Sequence, residues 1–172
     1  LGEIGTSKDE IRPDEVKVFQ AVARVHKKTG LPISTHCSLG TMPEAQLDLL
    51  EREGVDPSRI VLGHQDLKDD LETHVRLARR GATIAYDTAG KEAYMPDAVR
   101  VRLITGMLGR GLADRVVLSM DLTRKSHMKA NGGIGYSYLL EELVPQLKAA
   151  GVSEAELEQM LVANPRRILT IT

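Results

Sequence analysis

Five residues that can bind metals or transfer protons stand at the ends of strand-like segments in this sequence. One of them is the histidine of IVLGHQD, which follows three apolar residues and a glycine. Carboxylate oxygens and imidazole nitrogens are ligands that zinc, manganese and cobalt accept. Two histidines and several carboxylates therefore predict a divalent metal site, if the fold brings them together. The five residues are Glu3, His36, His64, Asp87 and Asp121.

Strand-like apolar runs alternate with helical patterns along the chain. This alternation indicates parallel strands joined by crossover helices. Because parallel strands present their carboxyl ends at one edge of the sheet, we expect the five residues to meet there. Strands are predicted at 1–5, 31–37, 59–65, 82–88 and 114–123, and helices at 12–30, 41–54, 69–81, 96–111, 136–151 and 153–165.

Two predicted helices begin with the sequence of a capping box. Thr41 is followed by Glu44, and Ser153 is followed by Glu156. In this motif the hydroxyl and the glutamate satisfy free backbone N–H groups at the helix start. We therefore place helix starts at both points.

The remaining histidines of the predicted helices and the one cysteine are interpreted as structural. His26 and His74 have charged neighbours and are expected on solvated helix faces. Cys37 follows His36, and successive strand residues point to opposite faces. If His36 faces the site, Cys37 packs in the core.

Composition and charge exclude several functions. The net charge of −1 and a pI of about 6.6 leave no basic footprint for nucleic acid. No apolar run approaches the roughly 20 residues that span a bilayer. No glycine-rich phosphate loop follows a strand, which argues against a nucleotide or flavin. The single cysteine allows no internal disulfide and favours a cytoplasmic location.

Two architectures fit the alternation. One is a doubly wound sheet of five strands, for which 172 residues is a natural length. The other is part of a (β/α)₈ TIM barrel, which uses roughly 31 residues for each strand–helix unit. On that scale the chain holds about five and a half units, so it would lack the first part of the barrel. Spacing alone leaves both architectures open.

Six segments of the sequence resemble the phosphotriesterase family of the amidohydrolase superfamily. The resemblance is strongest to its branch of phosphotriesterase homology proteins, and it runs from the first residue to the last. The fold it implies is an α/β TIM barrel of the metal-dependent hydrolase type, with about strands 4–8 and their helices in this chain. The segments are GEIGTS, PISTHCS, VLGHQDLKDD, DTAGK, VVLSMDLTRKSHMKANGG and ANPRRIL.

The resemblance also implies a set of roles for the strand-end residues. Family members carry two divalent metal ions, with zinc expected first and manganese or cobalt as alternatives. Glu3 would bridge both metals, and His36 and His64 would bind the more exposed one. Asp121 would bind the buried metal and accept a proton during catalysis. The implied reaction is hydrolysis of a lactone, a carboxylate ester or a phosphoester by a metal-bridging hydroxide.

Loops after the last strands are expected to form the substrate pocket. The segment TRKSHMKANGG supplies three candidate contacts to a polar or anionic group, and the loop around the preceding strand end supplies two more. For this loop a solvated basic surface is an equal alternative. Tyr86 and Asp87 alternate along a strand, so only one of them can face the pocket. The substrate-binding candidates are Arg124, His127, Lys129, Tyr86 and Lys91.

One departure from the family pattern affects the metal site. The family has a His-x-His motif at the end of its first strand, and no such motif occurs here. We therefore expect residues 1–172 to be the C-terminal portion of one hydrolase barrel domain, with an incomplete buried metal site. A partial barrel leaves sheet edges uncovered, so the isolated segment is expected to dimerise or aggregate. The family suggests a homodimer for the intact protein.

Two further interpretations compete with an active hydrolase. The chain could be a catalytically inactive fragment or a small-molecule binding module, or it could be a free-standing doubly wound binding domain. A strand order of 2-1-3-4-5 would favour the doubly wound domain. The sequence leaves the substrate and the identity of the metals open.

Overall fold

Five short parallel strands alternate with helices in the computed structural model, which describes residues 1–171. The first four strand–helix pairs are β1 Ile4–Thr6, α1 Pro13–Thr29, β2 Ile33–Cys37, α2 Pro43–Arg52, β3 Ile60–Leu62, α3 Leu71–Arg79, β4 Thr83–Tyr86 and α4 Asp97–Leu108. Strand β5 Val116–Leu118 follows, and after it the helical segments α5 Val144–Ala149, α6 Glu154–Glu158 and α7 Asn164–Leu169. The predicted alternation is confirmed, although the strands are shorter than predicted.

The strands lie in the order β1-β2-β3-β4-β5, and every neighbouring pair is parallel. A doubly wound sheet would reverse its order at a switch point. The sequential order is instead that of a barrel wall, in which each crossover helix leads to the adjacent strand. The interpretation as a doubly wound domain is therefore wrong.

The two faces of the sheet have different environments. In β2, Ile33, Thr35 and Cys37 are buried against the helices, whereas Ser34 is exposed and His36 is half-buried on the opposite face. We call this second face the inner face, because it corresponds to the interior of a barrel. Cys37 is fully buried, and burial raises the pKa of its thiol to about 12. The prediction that Cys37 packs in the core is confirmed.

An aliphatic core fills the space between the sheet and the helices. The only phenylalanine, Phe19 on α1, is fully buried there. Burying such side chains contributes about 1.5–3 kcal/mol each relative to exposure. Other fully buried members are Ile33, Leu47, Leu50, Ile60, Leu62, Leu77, Ile84, Leu103 and Ile104.

Helix ends follow the sequence signals in part. The capping box of Ser153 and Glu156 is present at the start of α6. The predicted box of Thr41 and Glu44 is absent, because α2 begins after Met42 in a left-handed conformation with φ of 63°. The Thr41 hydroxyl donates instead to Ser38 O at 2.8 Å. A competing local hydrogen bond has thus replaced the cap.

His74 on α3 lies in the core, so the prediction of a solvated face is wrong. Its side chain is 1% exposed, and Nδ1 lies 3.0 Å from the hydroxyl oxygen of Tyr86. This partner on β4 satisfies one ring nitrogen, which removes part of the cost of burying a polar group. Desolvation lowers the pKa of His74 to about 4.

The last two predicted helices are each interrupted by a wider turn. A π-helical turn at Leu139–Leu143 precedes Pro145, and another at Gln159–Ala163 precedes Pro165. Proline lacks the N–H that an α-helix needs, and a π-turn accommodates the missing hydrogen bond. Helix α7 then continues past the predicted end, and the Asn164 side chain donates to Val116 O at 2.7 Å. This contact ties the last helix to β5.

Candidate metal centre

Glu3, His36 and His64 converge on the inner face of the sheet, at its first three strands. His64 Nε2 lies 2.8 Å from His36 Nδ1 and 3.5 Å from Glu3 Oε1. His36 Nδ1 lies 3.3 Å from Glu3 Oε2. One ligand atom from each of the three residues lies within 4.8 Å of the others. The structure thus brings together three of the four predicted ligands.

Each ligand comes from a different strand or from the residues beside it, and Glu3 lies at the amino end of its strand instead of the predicted carboxyl end. Glu3 directly precedes β1, and His36 lies within β2 opposite Gly5. His64 lies two residues beyond β3 in a left-handed conformation, with φ of 58° and ψ of 30°. This conformation turns the chain into the short turn Gln65–Leu67 and aims the imidazole back across the inner face. Left-handed backbone is uncommon outside glycine and often marks a functional position.

Two glycines leave room for the site. A Cβ added to Gly5 would lie 2.9 Å from His36 Cβ and 3.3 Å from His36 Cδ2. A Cβ added to Gly63 would lie 2.3 Å from Thr35 O and 3.3 Å from Asp87 Oδ2. Both glycines therefore allow a close approach that any larger residue would block.

Asp87 orients His64 from behind. Its Oδ1 accepts hydrogen bonds from His64 Nδ1 and from the His64 backbone N–H, each at 2.9 Å. An N–H on Nδ1 leaves Nε2 with its lone pair directed toward Glu3 and His36. The sequence marked Asp87 only as a strand end. Assigning a role to Asp87 requires knowing that its carboxylate contacts the second ring nitrogen of His64. That contact depends on the register of β3 and β4, which the sequence does not contain.

Burial and charge act together on this pair. Burial raises the pKa of Asp87, while its hydrogen bond to His64 opposes the shift. Burial alone would lower the pKa of His64, but the hydrogen bond and the charge of Asp87 outweigh it and raise that pKa. The negative potential at this edge therefore favours a cation at the cluster.

The donor set fits a divalent metal. In a tetrahedral zinc site with bonds of about 2.0–2.1 Å, ligand atoms lie about 3.3 Å apart. The two distances from Glu3 to the histidine nitrogens are 3.3 and 3.5 Å. The two ring nitrogens, at 2.8 Å, need a proton or a cation between them. Glu3, His36 and His64 could thus hold one metal ion with an open position.

Asp121 lies near the cluster but outside the group of three. It lines a cavity of about 280 Å³ together with His36 and His64. Its Oδ2 is paired with Lys91 Nζ, and its backbone is left-handed with φ of 46°. Its roles as a metal ligand and as a catalytic residue therefore stay predictions.

A larger pocket adjoins this cavity. Its volume is about 490 Å³, and its lining includes the predicted residues Lys91, Arg124 and His127. Lys91, Tyr94 and Asp121 line both spaces, so the pocket opens next to the ligand cluster. A small molecule held in the pocket would reach the cluster past these shared residues.

Two predicted substrate contacts lie elsewhere. Tyr86 is 1% exposed and points toward α3. Ile84 pairs with Leu62 on the helix-facing side of the sheet, and Tyr86, two residues further along β4, points to the same side. Lys129 is exposed and pairs with Glu141 at 2.6 Å, outside the pocket lining. The burial of Tyr86 on the helix-facing side corrects that prediction, whereas a substrate contact by Lys129 stays a prediction.

A sequential parallel sheet with candidate metal ligands on its inner face defines part of an α/β barrel with a candidate metal centre. Such centres at strand ends are typical of barrel enzymes. The chain belongs to the phosphotriesterase family, whose model matches residues 1–169.

Curated proteins and solved structures support this assignment. The phosphotriesterase homology protein of Escherichia coli is 50% identical over 165 residues, covering 96% of this chain and 56% of that protein. A crystal structure of that protein complexed with phosphate in its active site has a TM-score of 0.97 at 49% identity, covering 99% and 59% of the two chains. The lactonase Lmo2620 of Listeria monocytogenes has a TM-score of 0.94 at 31% identity, covering 98% and 50%.

This chain covers only part of the length of its relatives. N-acetyltaurine hydrolase of Dictyostelium discoideum is 31% identical over 183 residues, covering 99% of this chain and 49% of that protein. The chain spans about half the length of the curated relatives it matches. The relatives include a named hydrolase and a named lactonase. The fold prediction of a partial barrel is confirmed. Among residues 1–171, no helix is long and apolar enough to cross a membrane.

Proposed function

We propose that this chain carries part of the active site of a metal-dependent hydrolase. The convergence of Glu3, His36 and His64 on the inner face of the sheet is the observation that supports this function. The proposed substrates are lactones, carboxylate esters or phosphoesters. Two divalent ions, with zinc expected first, are proposed as cofactors, and Glu3, His36 and His64 would help to hold them.

The residues of the chain divide the chemical work. When bound, divalent metals lower the pKa of a water molecule and polarise the oxygen under attack. Asp87 holds the ring of His64 so that Nε2 faces the centre. Asp121 would take the proton of the attacking water on its carboxylate, which the ion pair with Lys91 holds in position. This assignment needs no serine or cysteine nucleophile.

The substrate would occupy the pocket beside the cluster. Arg124 and His127 line it and offer donors to a polar or anionic group of the substrate. The printed names of relatives include a lactonase and an N-acetyltaurine hydrolase, so an amide should be tested beside the esters. Pocket shape, rather than the fold, decides among these bonds.

Metal titration tests the proposal directly. The chain is titrated with Zn²⁺, Mn²⁺ and Co²⁺ by calorimetry, beside the variants His64→Ala and His26→Ala. His26 lies on α1, where Nδ1 contacts Leu31 O at 2.7 Å, and serves as the matched control. We expect at least one zinc per chain, with binding lost only in His64→Ala. Less than one zinc, unchanged by His64→Ala, would refute the metal centre.

Turnover is measured separately with a lactone, an aryl carboxylate ester, an aryl phosphotriester and an N-acyl amide. Hydrolysis that depends on added metal supports an active enzyme. Metal binding without turnover of any of the four would favour the competing interpretation of an inactive fragment or a binding module. A homodimer is proposed on the family resemblance. A cytoplasmic location is proposed on the single cysteine.

A further inference from the structure

Two loops form opposite walls of the large pocket. The first wall is residues 90–94, which follow β4, and the second is residues 122–134, which follow β5. The space between them depends on how the two loops are held relative to each other. Their attachment therefore decides the shape of the pocket.

Asp97, at the start of α4, contacts the first wall and the segment that follows the second wall through one carboxylate. Its Oδ1 accepts the backbone N–H of Gly90 at 3.1 Å, and its Oδ2 accepts the hydroxyl of Tyr138 at 2.9 Å. Gly90 belongs to the first wall, and Tyr138 lies just beyond the second. Asp97 is 3% exposed, so water has little access to compete for these hydrogen bonds.

The same two loops touch directly at Gly90. A Cβ added there would lie 2.7 Å from Ile134 Cδ1 and 2.8 Å from Tyr138 Cε1. Gly90 also has φ of 76°, a backbone conformation that favours glycine. The backbone of the first wall thus lies flat against side chains of the second wall.

A buried arginine anchors the Asp97 carboxylate. Arg100 is fully buried, and its Nη1 donates to Asp97 Oδ1 at 2.7 Å. Its Nε donates to Asp66 Oδ2 at 2.8 Å. Asp66 also accepts the backbone N–H of Thr88 at 2.9 Å, next to Asp87. The guanidinium therefore donates to both carboxylates, which offsets part of the cost of burying them.

The Tyr138 hydroxyl can donate its hydrogen bond to Asp97 throughout the neutral pH range. Desolvation, followed by its hydrogen bond to Asp97, raises the pKa of Tyr138 to about 12. The hydroxyl therefore keeps its proton at neutral pH and donates to the carboxylate. Hydrogen bonds to a charged acceptor are about twice as strong as neutral ones.

We propose that Asp97 and Tyr138 form a latch that fixes the spacing of the two pocket walls, and that both are positioning residues for the substrate. The latch itself is a statement about the loops. Its effect on substrate rests on the proposed function, because that function assigns the pocket to substrate. The connection is made at the Asp97 carboxylate, which is not one of the three candidate metal ligands.

The latch is tested by amide hydrogen exchange on the chain and on two variants. Tyr138→Phe removes only the hydroxyl. Tyr136→Phe is the matched control, because Tyr136 is exposed in the same loop and its hydroxyl lies 3.5 Å from Leu122 O. We expect about tenfold faster exchange at residues 88–95 in Tyr138→Phe and no change there in Tyr136→Phe. Exchange that is unchanged at 88–95, or faster only at 134–140, would overturn the latch.

Kinetics then separate positioning from folding. On any of the four test substrates that the unmodified chain hydrolyses, Tyr138→Phe should raise KM about 3- to 10-fold and leave kcat within about twofold. Zinc affinity should stay unchanged, since the ligands are intact. A fall in kcat at constant KM would overturn the positioning role. If no substrate is turned over, the proposed function fails for this chain, and the exchange experiment still decides the latch.

Discussion

Asp87 Oδ1 lies 2.9 Å from His64 Nδ1, on the side of the ring that faces away from Glu3 and His36. This single contact decides which nitrogen of His64 can bind a metal. A second hydrogen bond, from the His64 backbone N–H to the same oxygen, fixes the carboxylate relative to the left-handed turn. The residue that completes the centre thus comes from β4, one strand further along the sheet.

Replacing Asp87 by asparagine should weaken zinc binding about 10- to 100-fold. The amide oxygen can still accept the two hydrogen bonds, but the negative charge that increases the basicity of the ring is lost. Calorimetric titration measures the change. Asp114→Asn is the control, because Asp114 is half-exposed and pairs with Arg115 at 3.2 Å on the surface. Equal affinities for both variants would contradict a role for Asp87 in the centre.

Replacing Gly5 by alanine should displace the ring of His36. The added Cβ would lie 2.9 Å from His36 Cβ and 3.0 Å from His36 O, so strand β2 or the ring must shift. We expect zinc affinity to fall about tenfold or more, because ligand placement within about 0.5 Å is needed. Gly109→Ala is a suitable control, since its nearest contact would be Thr105 O at 3.4 Å. An affinity equal to that of the control would show that the site tolerates the extra methyl.

The sequence predicts the sheet well because its pattern is strong. Apolar runs such as IVL are bounded by polar and glycine residues, and the helices between them carry clear end signals. The strand order, however, depends on pairing between segments that are far apart in the chain. Only the structure, with β1 to β5 in sequence, separates a barrel wall from a doubly wound sheet.

The sequence predicts only some residues of the site, because several roles depend on contacts between different strands and helices. Glu3, His36 and His64 share a property that the sequence shows, since each lies in or directly after a predicted strand. Tyr86 and Asp87 alternate, and the choice between them depends on the pairing of Leu62 with Ile84, which no local pattern contains. His74 has charged neighbours in sequence, but its partner Tyr86 is on another element. Contacts between elements are therefore what the sequence alone could not provide.

Replacing Arg100 by methionine should destabilise the fold by about 3–5 kcal/mol. Asp66 and Asp97 would then be buried without a neighbouring cation, since Arg100 pairs with both. Urea unfolding measures the free energy. Arg102→Met on the same helix is the matched control, because its ion pair with Asp69 is exposed and such pairs contribute about 0–1 kcal/mol.

The charge explanation for Arg100 has its own test. If uncompensated charge causes the loss, Asp66→Asn and Asp97→Asn added to Arg100→Met should recover part of the stability. A triple variant that is less stable than Arg100→Met alone would point to lost packing instead. Similar losses for Arg100→Met and Arg102→Met would show that the buried network contributes little.

His74 should make the stability of the fold depend on pH. Its pKa is lowered from 6.5 to about 4, first by burial and then by Lys68, against the opposing charges of Asp70, Asp66 and Asp69. Because the unfolded chain binds the proton at higher pH than the folded chain, the stability is complete above about pH 6.5 and falls as the pH drops toward 4. Between pH 7 and 5 the expected loss is about 1–2 kcal/mol.

Thermal unfolding of the chain and of His74→Gln across this range isolates the effect. Glutamine can accept the Tyr86 hydroxyl but does not titrate, so the variant should lose less stability on acidification than the unmodified chain. A difference of about 1–2 kcal/mol corresponds to a Tm change of several degrees in a domain of this size. His26→Gln is the control, because that histidine is half-buried and contacts Leu31 O at the end of α1. Parallel pH profiles for the unmodified chain and His74→Gln would show that His74 is protonated as readily in the fold as in the unfolded chain.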